Sequence, residues 1–200
     1  MLISPIEKNL RKKGFGFIAG VDEAGRGPLA GPVFASAVIL PKNAKIKGLD
    51  DSKKLSPAKR EKVFDLIMHN AVCVGVGVCE EGEIDRINIL QATFRAMAQA
   101  VNALLQKPDI ILVDGNKIIP QVGITQKAII GGDAKCTCIA AASVVAKVLR
   151  DRYMFKLHKI YPKYGFDRHK GYGTKAHFAA LRIYGSCPIH RKSFLKNILH

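Results

Sequence analysis

Four acidic residues follow short apolar segments of the kind that form buried strands, and a glycine lies close to each of them. They are Asp22, Glu23, Asp114 and Asp133. Charged side chains at the edge of a buried sheet are costly unless something compensates them. Because functional sites in α/β proteins gather at the carboxyl ends of strands, the pattern predicts that the four acids meet in one site.

A cluster of carboxylates resists joint ionisation, and a divalent cation removes that conflict. Hard oxygen ligands with few histidines nearby favour Mg²⁺ or Mn²⁺ over zinc. Two such ions about 4 Å apart would hold a scissile phosphate, activate water and stabilise the leaving oxygen. A single strand-end Asp is more often a turn or cap residue, and Asp133 after two glycines is open to that interpretation. Spacing alone leaves both interpretations standing.

Charge indicates the class of partner. Lys and Arg outnumber Asp and Glu by 32 to 16, which gives a formal net charge of +16. The excess is concentrated in residues 141–200, which hold thirteen Lys or Arg and only two Asp. Such a surface attracts polyanions at long range. A basic tail by itself is equally typical of proteins that associate with ribosomes, membrane surfaces or nucleic acid.

Several classes of protein are disfavoured by composition. No uncharged run approaches the roughly 18–20 apolar residues of a membrane span, and residues 1–13 lack the apolar core of a signal peptide. The five cysteines are scattered, are odd in number and have no second metal-spaced pair, which argues against a disulfide framework or a zinc site. We therefore expect a cytoplasmic protein with reduced thiols and no membrane association.

Hydrophobic periodicity predicts an α/β chain in which two strands come first and later strands alternate with helices. The predicted strands are 15–22, 33–40, 72–78, 110–113 and 127–130, and the predicted helices are 56–69, 88–106, 139–160 and 174–185. Residues 163–173 are predicted to form a basic, aromatic loop. This order suggests an antiparallel start followed by parallel strands. Asp22 and Glu23 are adjacent, so both reach one site only if their strand ends or bulges there.

The segment Gly20-Val-Asp-Glu-Ala-Gly-Arg-Gly-Pro-Leu-Ala-Gly-Pro32 resembles the opening motif of the ribonuclease HII family. Further blocks follow in the family's order across roughly residues 15–190. They are Asp51–Leu55, Val113–Asn116, Gly132–Lys135, Ala141–Lys147, Arg150-Asp151 and His169–Thr174. The related ribonuclease HIII enzymes carry an extra N-terminal domain and a different motif after the Asp-Glu pair. The early position of the motif and Arg26 after Gly25 favour the HII type.

The resemblance implies a ribonuclease H-like fold, a mixed five-stranded sheet flanked by helices with a small C-terminal helical part. We therefore expect a single catalytic domain over residues 1–200, with a basic helical extension from about 163 to 200 packed on it. We also expect a monomer, although the sequence does not settle the oligomeric state.

The resemblance implies an endonuclease that cuts the RNA strand of RNA–DNA hybrids and single ribonucleotides in duplex DNA, in ribonucleotide removal during replication and repair. It implies that Asp22, Glu23, Asp114 and Asp133 are both the catalytic and the metal-binding residues. Hydrolysis with two Mn²⁺ or Mg²⁺ ions would leave 5′-phosphate and 3′-hydroxyl ends.

Substrate recognition is also implied by the resemblance. The segment Gly25-Arg26-Gly27 resembles the backbone that contacts the ribose 2′-hydroxyl, the group that separates RNA from DNA. Tyr172 resembles the tyrosine that packs on the next sugar. Five basic residues are candidates for gripping phosphates, although each is equally well explained as a solvated surface charge: Lys53, Lys54, Lys147, Arg168 and Lys170. Ser143, near the start of a predicted helix, is a candidate for capping that helix or for contacting phosphate.

Two other functions would explain part of these features. A non-catalytic nucleic-acid-binding module explains the basic tail, but leaves four strand-end acids that would repel a phosphate backbone. A nucleotide-binding protein would use the glycines as a phosphate cradle. The spacing Gly25-x-Gly27-x-x-x-Gly31 does not fit G-x-G-x-x-G, and the chain contains no G-x-x-x-x-G-K-S/T.

Overall fold

The computed structural model describes residues 4–49, 52 and 55–196. Its centre is a five-stranded sheet in the order β3-β2-β1-β4-β5. The strands are β1 (Ile18–Ala24), β2 (Val33–Ile39), β3 (Cys73–Cys79), β4 (Ile110–Asp114) and β5 (Gln126–Ile129). The β1–β2 and β2–β3 pairs are antiparallel, whereas β1–β4 and β4–β5 are parallel. The predicted mixed sheet, with antiparallel pairing first and parallel pairing later, is confirmed.

Eight α-helices and one short 3₁₀ helix are found within the described residues. The α-helices are α1 (Pro5–Lys12), α2 (Pro57–Asn70), α3 (Glu81–Asn102), α4 (Gly132–Lys135), α5 (Thr137–Ile160), α6 (Phe166–His169), α7 (Lys175–Tyr184) and α8 (Lys192–Leu195). The 3₁₀ helix spans Pro162–Tyr164. None of the helices in the described ranges is long and apolar enough to cross a bilayer.

The sheet is covered on both faces, which buries β1 completely at its centre. Helix α3 packs on one face against β1, β2 and β3, and α5 packs on the other against β1, β2 and β4. The approach of α5 is unusually close at Gly20, where a Cβ atom would lie 2.1 Å from the carbonyl carbon of Cys138. A side chain there would push α5 away from the strand that carries Asp22 and Glu23.

Two sequence expectations about helices were wrong. Helix α3 was expected over 88–106, but it begins at Glu81 and ends at Asn102, with a kink at Asn88 where φ is 67°. The Asn88 side chain accepts hydrogen bonds from the amides of Leu90 and Gln91, as an N-cap does, so the predicted cap lies inside a longer helical segment. The segment expected as a loop at 163–173 contains α6 and part of the 3₁₀ helix.

The C-terminal helices form their own apolar cluster against the end of α5. Leu29 and Ala30 of the glycine-rich segment after β1 belong to this cluster, together with Met154, Phe166 and Leu181. Helix α7 begins as predicted, because the Thr174 hydroxyl accepts a hydrogen bond from the amide of His177. The cluster therefore holds the C-terminal part next to the segment that follows the Asp-Glu pair.

Candidate active site

The sheet brings Asp22 and Asp114 side by side. Strands β1 and β4 run parallel with Val21 opposite Val113, so the next residue on each strand is one of the two acids. Neighbouring strands lie about 4.8 Å apart, and residues opposite each other point to the same face. Two carboxylates from distant parts of the chain therefore meet at the carboxyl end of the sheet, on the face covered by α5.

Strand β1 does not bulge between Asp22 and Glu23, but it ends one residue later, at Ala24, so the expected break is the end of the strand. Pairing with β2 continues regularly through Asp22, Glu23 and Ala24, opposite Ser36, Ala35 and Phe34. Adjacent residues on a regular strand point to opposite faces. Glu23 nevertheless lines the same cavity as Asp22 and a second cavity with Asp114, because both acids stand in the last three residues of the strand, where the sheet ends.

Asp133 reaches the same edge from the segment after β5. It lies in the short helix α4 and is 7% exposed. The amide of Gly132, its neighbour, donates a 2.7 Å hydrogen bond to Oδ1 of Asp114. Asp133 itself accepts one from the amide of Ala134 at 2.9 Å, which is the local turn bond that the sequence left open. The structure thus ties the Asp133 segment to Asp114, while the role of Asp133 stays a prediction.

Burial is the main influence on the pKa values of this cluster, and repulsion between the carboxylates adds to it. Burial raises the pKa of Asp22 well above its ordinary value, and the nearby charges of Glu23 and Asp114 raise it further. Burial also raises the pKa of Glu23, opposed by Arg26, whose guanidinium lies 3.3 Å from the Glu23 carboxylate. The carboxyl groups are therefore held in a state that a positive charge would relieve.

The three aspartates each direct Oδ1 towards a backbone amide. Asp22 accepts from the amide of Glu23 at 2.7 Å, and the other two accept from Gly132 and Ala134 as described above. Among residues 4–49, 52 and 55–196, no three His, Cys, Asp or Glu side chains stand together in the arrangement that holds a metal ion. The donor set is nevertheless all carboxylate oxygen, which is the chemistry that Mg²⁺ and Mn²⁺ prefer.

A chain of polar groups extends from Asp22 into the protein. The Ser143 side chain is hydrogen-bonded to Asp22, and its Oγ lies 2.8 Å from that of Ser52. The guanidinium of Arg60 donates to the carbonyl of Ser52 and also pairs with Asp151. Ser143 lies well inside α5, so the expectation that it caps a helix was wrong, and its hydroxyl contacts a carboxylate of the candidate site.

Tyr172 and the Gly25-Arg26-Gly27 segment come together as the sequence suggested. They line one cavity of about 220 Å³ with Asp22, Glu23 and Lys147. A Cβ atom built on Gly27 would lie 3.7 Å from Cε1 of Tyr172, whose side chain is 43% exposed at the rim. The cavity is thus bounded by acids, by glycine backbone and by one aromatic ring.

The other predicted phosphate-binding residues are distributed unevenly. Lys147 lines the acid cavity, where its Nζ lies 2.7 Å from Asp151 and 5.9 Å from the centre of the Tyr172 ring. Lys170 instead turns its amine to the carbonyl of Asp167 and lines a separate groove along α5. Arg168 is exposed, and its side chain packs near Gly165. Lys53 and Lys54 lie outside the described residues.

Two fully buried arginines hold the glycine-rich segment in place, and sequence reasoning gave them no role. Arg150 donates to the carbonyls of Pro32, Ala30 and Lys170 at 3.0–3.1 Å. A Cβ atom on Gly25, where φ is +102°, would lie 2.0 Å from Nε of Arg150, so this site requires glycine.

The second buried arginine, Arg191, comes from the basic tail. It donates to the carbonyls of Gly25, Arg26 and Gly31 at 2.6–3.0 Å. In the sequence Arg191 cannot be distinguished from the other Lys and Arg residues of the basic tail. Nothing in the local pattern of charges indicates that its side chain is buried.

Comparison with known proteins identifies the family of this chain. The sequence profile of the family described as Ribonuclease HII matches residues 19–197. Ribonuclease HII of Caldicellulosiruptor saccharolyticus is 55% identical over 97% of this chain and 94% of its own length. Ribonuclease HII of Geobacter metallireducens is 56% identical over 94% of this chain and 88% of its own length.

A solved structure adds the fold. The crystal structure of the ribonuclease H2 from Pyrococcus horikoshii OT3 superposes with a TM-score of 0.73 at 31% identity, covering 88% of this chain and 93% of that one. The profile match spans both parallel and antiparallel strands of the sheet and the C-terminal helices. This chain therefore belongs to the ribonuclease HII family and is a ribonuclease H enzyme.

Proposed function

We propose that this protein cuts the RNA strand of RNA–DNA hybrids and single ribonucleotides embedded in duplex DNA. One observation carries the proposal: Asp22 and Glu23 at the end of β1 line one cavity with the Gly25-Arg26-Gly27 backbone and Tyr172, and Asp114 ends the neighbouring strand beside Asp22. Cleavage chemistry and sugar recognition would thus lie within one nucleotide step of each other. Family membership supports the same reaction class.

Asp22, Glu23, Asp114 and Asp133 would hold divalent cations, Mn²⁺ or Mg²⁺. Bound there, such ions activate water and neutralise the developing charge on a phosphodiester. The fit rests on the raised pKa values of Asp22 and Glu23, because a cation would supply the positive charge that this buried cluster lacks. Hydrolysis would leave 5′-phosphate and 3′-hydroxyl ends.

The protein's own groups would position the substrate. The half-buried amine of Lys147, next to the acids, would bind a phosphate oxygen flanking the cut. Ser143 would keep the Asp22 carboxylate in a fixed orientation through its hydrogen bond. The exposed guanidinium of Arg26 would exchange its contact with Glu23 for one with phosphate once that carboxylate binds a cation.

Sugar recognition would come from the opposite wall of the cavity. Backbone groups of Gly25, Arg26 and Gly27 approach the ribose because no Cβ intervenes at the glycines, and the 2′-hydroxyl would be their ligand. The Tyr172 ring would pack on the following deoxyribose, where an additional hydroxyl would be crowded. These two contacts define an RNA–DNA junction.

The decisive experiment uses a DNA duplex with one ribonucleotide, incubated with Mn²⁺, Mg²⁺ or chelator. Asp114→Asn is expected to lower turnover by at least about 10²–10³-fold, the usual cost of losing one charge-stabilising group. Binding should persist, because the variant removes a negative charge. Equal cleavage in chelator would refute the metal mechanism, and binding without cleavage under every condition would favour a non-catalytic binding module.

Junction recognition has a separate test. Tyr172→Ala is expected to slow cleavage at single ribonucleotides more than cleavage of a uniform RNA–DNA hybrid. Tyr184→Ala is the matched control, because Tyr184 is a half-exposed tyrosine of α7 that lines none of the cavities around the acids. Unchanged relative rates in Tyr172→Ala would remove Tyr172 from the recognition site.

A further inference from the structure

The turn that presents Tyr172 is held by its backbone carbonyls. Three consecutive carbonyls are each bound by a donor from a different part of the chain. Arg150 binds that of Lys170 at 3.0 Å, the Leu29 amide binds that of Gly171 at 2.8 Å, and His177 Nδ1 lies 2.9 Å from that of Tyr172. The amide of Thr174 also reaches the Tyr172 carbonyl. Of these donors, His177 is the side chain that acts on the aromatic residue itself.

Hydrogen-bond geometry fixes which nitrogen of His177 carries a proton. The Cys187 amide donates to Nδ1 of His190 at 2.9 Å and is closer than the Cys187 carbonyl at 3.3 Å, so that nitrogen accepts and Nε2 of His190 carries the proton. Nε2 of His190 lies 3.0 Å from Nε2 of His177, which must then accept. His177 is left with its proton on Nδ1, where it donates to the Tyr172 carbonyl.

The surroundings keep this pair neutral. His177 is 0% exposed and His190 is 2% exposed. Burial lowers the pKa of both, that of His190 to about 4. His169 stacks on His177 with ring centres 4.5 Å apart, and the Phe166 ring meets both members of the pair. A proton added to either ring would place two N–H groups against each other, so both rings stay neutral at neutral pH. In the neutral state one tautomer of each ring is selected.

We propose that His177 is a positioning residue that sets the preference for RNA–DNA junctions by fixing the backbone of Tyr172, with His190 selecting the tautomer that allows it. This inference rests on the proposed function, because it assumes that Tyr172 reads the sugar after the ribonucleotide. His177 lies below the turn and is fully buried, so it acts through Tyr172 and touches no substrate.

Two substitutions at position 177 separate hydrogen bonding from packing. The amide of Asn occupies the place of the imidazole Nδ1, so His177→Asn keeps a donor for the Tyr172 carbonyl. The amide of Gln reaches the place of Nε2, so His177→Gln contacts His190 but leaves that carbonyl without the side-chain donor. Glutamine is closer to histidine in size, so a role in packing alone would make Gln the milder change.

The measurement is the ratio of initial cleavage rates on a DNA duplex with one ribonucleotide and on a uniform RNA–DNA hybrid. His177→Gln should lower this ratio about tenfold, the equivalent of one buried hydrogen bond. His177→Asn should keep it within about threefold, which is below one such bond. His69→Gln, in the exposed last turn of α2, is the control and should leave the ratio unchanged.

The outcomes separate the inference from the proposed function. A parent protein that does not cut at the ribonucleotide refutes the proposed function. A parent that does so, with Gln at position 177 equal to or better than Asn, refutes the positioning role. In a Tyr172→Ala background, His177→Gln should change the ratio no further, and an additional tenfold loss there would show that His177 acts elsewhere.

If the substitutions at position 177 prevent folding, the unaltered protein still tests the inference. Nitrogen NMR of the histidine rings should find His177 protonated at Nδ1 and His190 at Nε2 at neutral pH. The reverse assignment, or a charged ring in either residue, would overturn the proposal.

Discussion

Replacing Arg191 by methionine should destabilise the protein by disrupting the segment after β1. Three carbonyls would lose their donor: those of Gly25 and Gly31, which are buried, and that of Arg26, which is partly buried. Each buried acceptor left unsatisfied costs about 1–3 kcal/mol and the partly buried one less, so the gross loss stays below about 9 kcal/mol. Burial lowers the pKa of Arg191 to about 9, so removing its charge relieves part of that cost. We expect a net loss of about 3–5 kcal/mol.

Thermal unfolding followed by circular dichroism measures this loss. For a chain of 200 residues each kcal/mol corresponds to about 2–4 °C, so the midpoint should fall by roughly 6–20 °C. Arg191→Lys keeps the charge but loses the planar set of guanidinium donors, so its unfolding midpoint should lie between those of the parent and Arg191→Met. Arg182→Met, at an exposed position in α7, is the control. A midpoint for Arg191→Met within about 2 °C of the parent, less than 1 kcal/mol, would refute the reasoning.

Four further results are expected. Asp22→Asn should raise the midpoint at neutral pH in chelator, because a carboxyl group whose folded-state pKa is raised opposes folding once the unfolded chain is ionised. The gain should shrink as the pH falls below the folded-state pKa and vanish near the ordinary Asp value of about 4, and an equal gain at every pH would contradict the argument. Gly25→Ala should cost more than about 2 kcal/mol in denaturant unfolding, because it adds a left-handed strain to a clash with Arg150. The pKa of His190, about 4 in the folded state, lies below its unfolded value. The stability that this group contributes is therefore complete above about pH 6.5 and is lost as the pH falls to 4. His190→Gln should make the free energy of unfolding depend less on pH in that range. Chelator should abolish cleavage yet leave a binding preference for ribonucleotide-containing duplexes, measured by fluorescence anisotropy, and loss of both together would show that recognition also needs the cation.

The sequence predicted the sheet well because the information was local. Strand β4 is a short apolar run that ends in an acid, and the interval from β1 to β2 is marked by glycine and proline. Parallel and antiparallel pairing follow from the lengths of the connections. The meeting of Asp22 with Asp114 was therefore predictable, because the ends of neighbouring parallel strands share one edge.

What the sequence did not predict depends on contacts between distant segments. Arg191 is buried because the 25–31 segment offers carbonyls that no strand pairs, and nothing near Arg191 in the sequence announces this. The His177–His190 pair could not be predicted from the sequence either, since its tautomers depend on the amide of Cys187. At Glu23 the sequence left open whether the strand bulges or ends, and the structure shows a regular strand that ends at the next residue.

The two walls of the candidate site differ in whether their polar groups are already satisfied within the protein. The acids carry repulsion that a cation would relieve, so under the proposed function this wall would gain its working arrangement only with an added ion. The carbonyls of Gly25, Arg26 and Tyr172, on the other wall, are bound by the buried side chains of Arg191 and His177. Because a sugar is distinguished from its deoxy form by one hydroxyl, small backbone shifts would erase the distinction, whereas metal ligands can adjust to the ion they bind. Under the proposed function, a rigid wall that recognises the sugar beside an adjustable wall that binds metal is therefore the arrangement that the substrate chemistry would require.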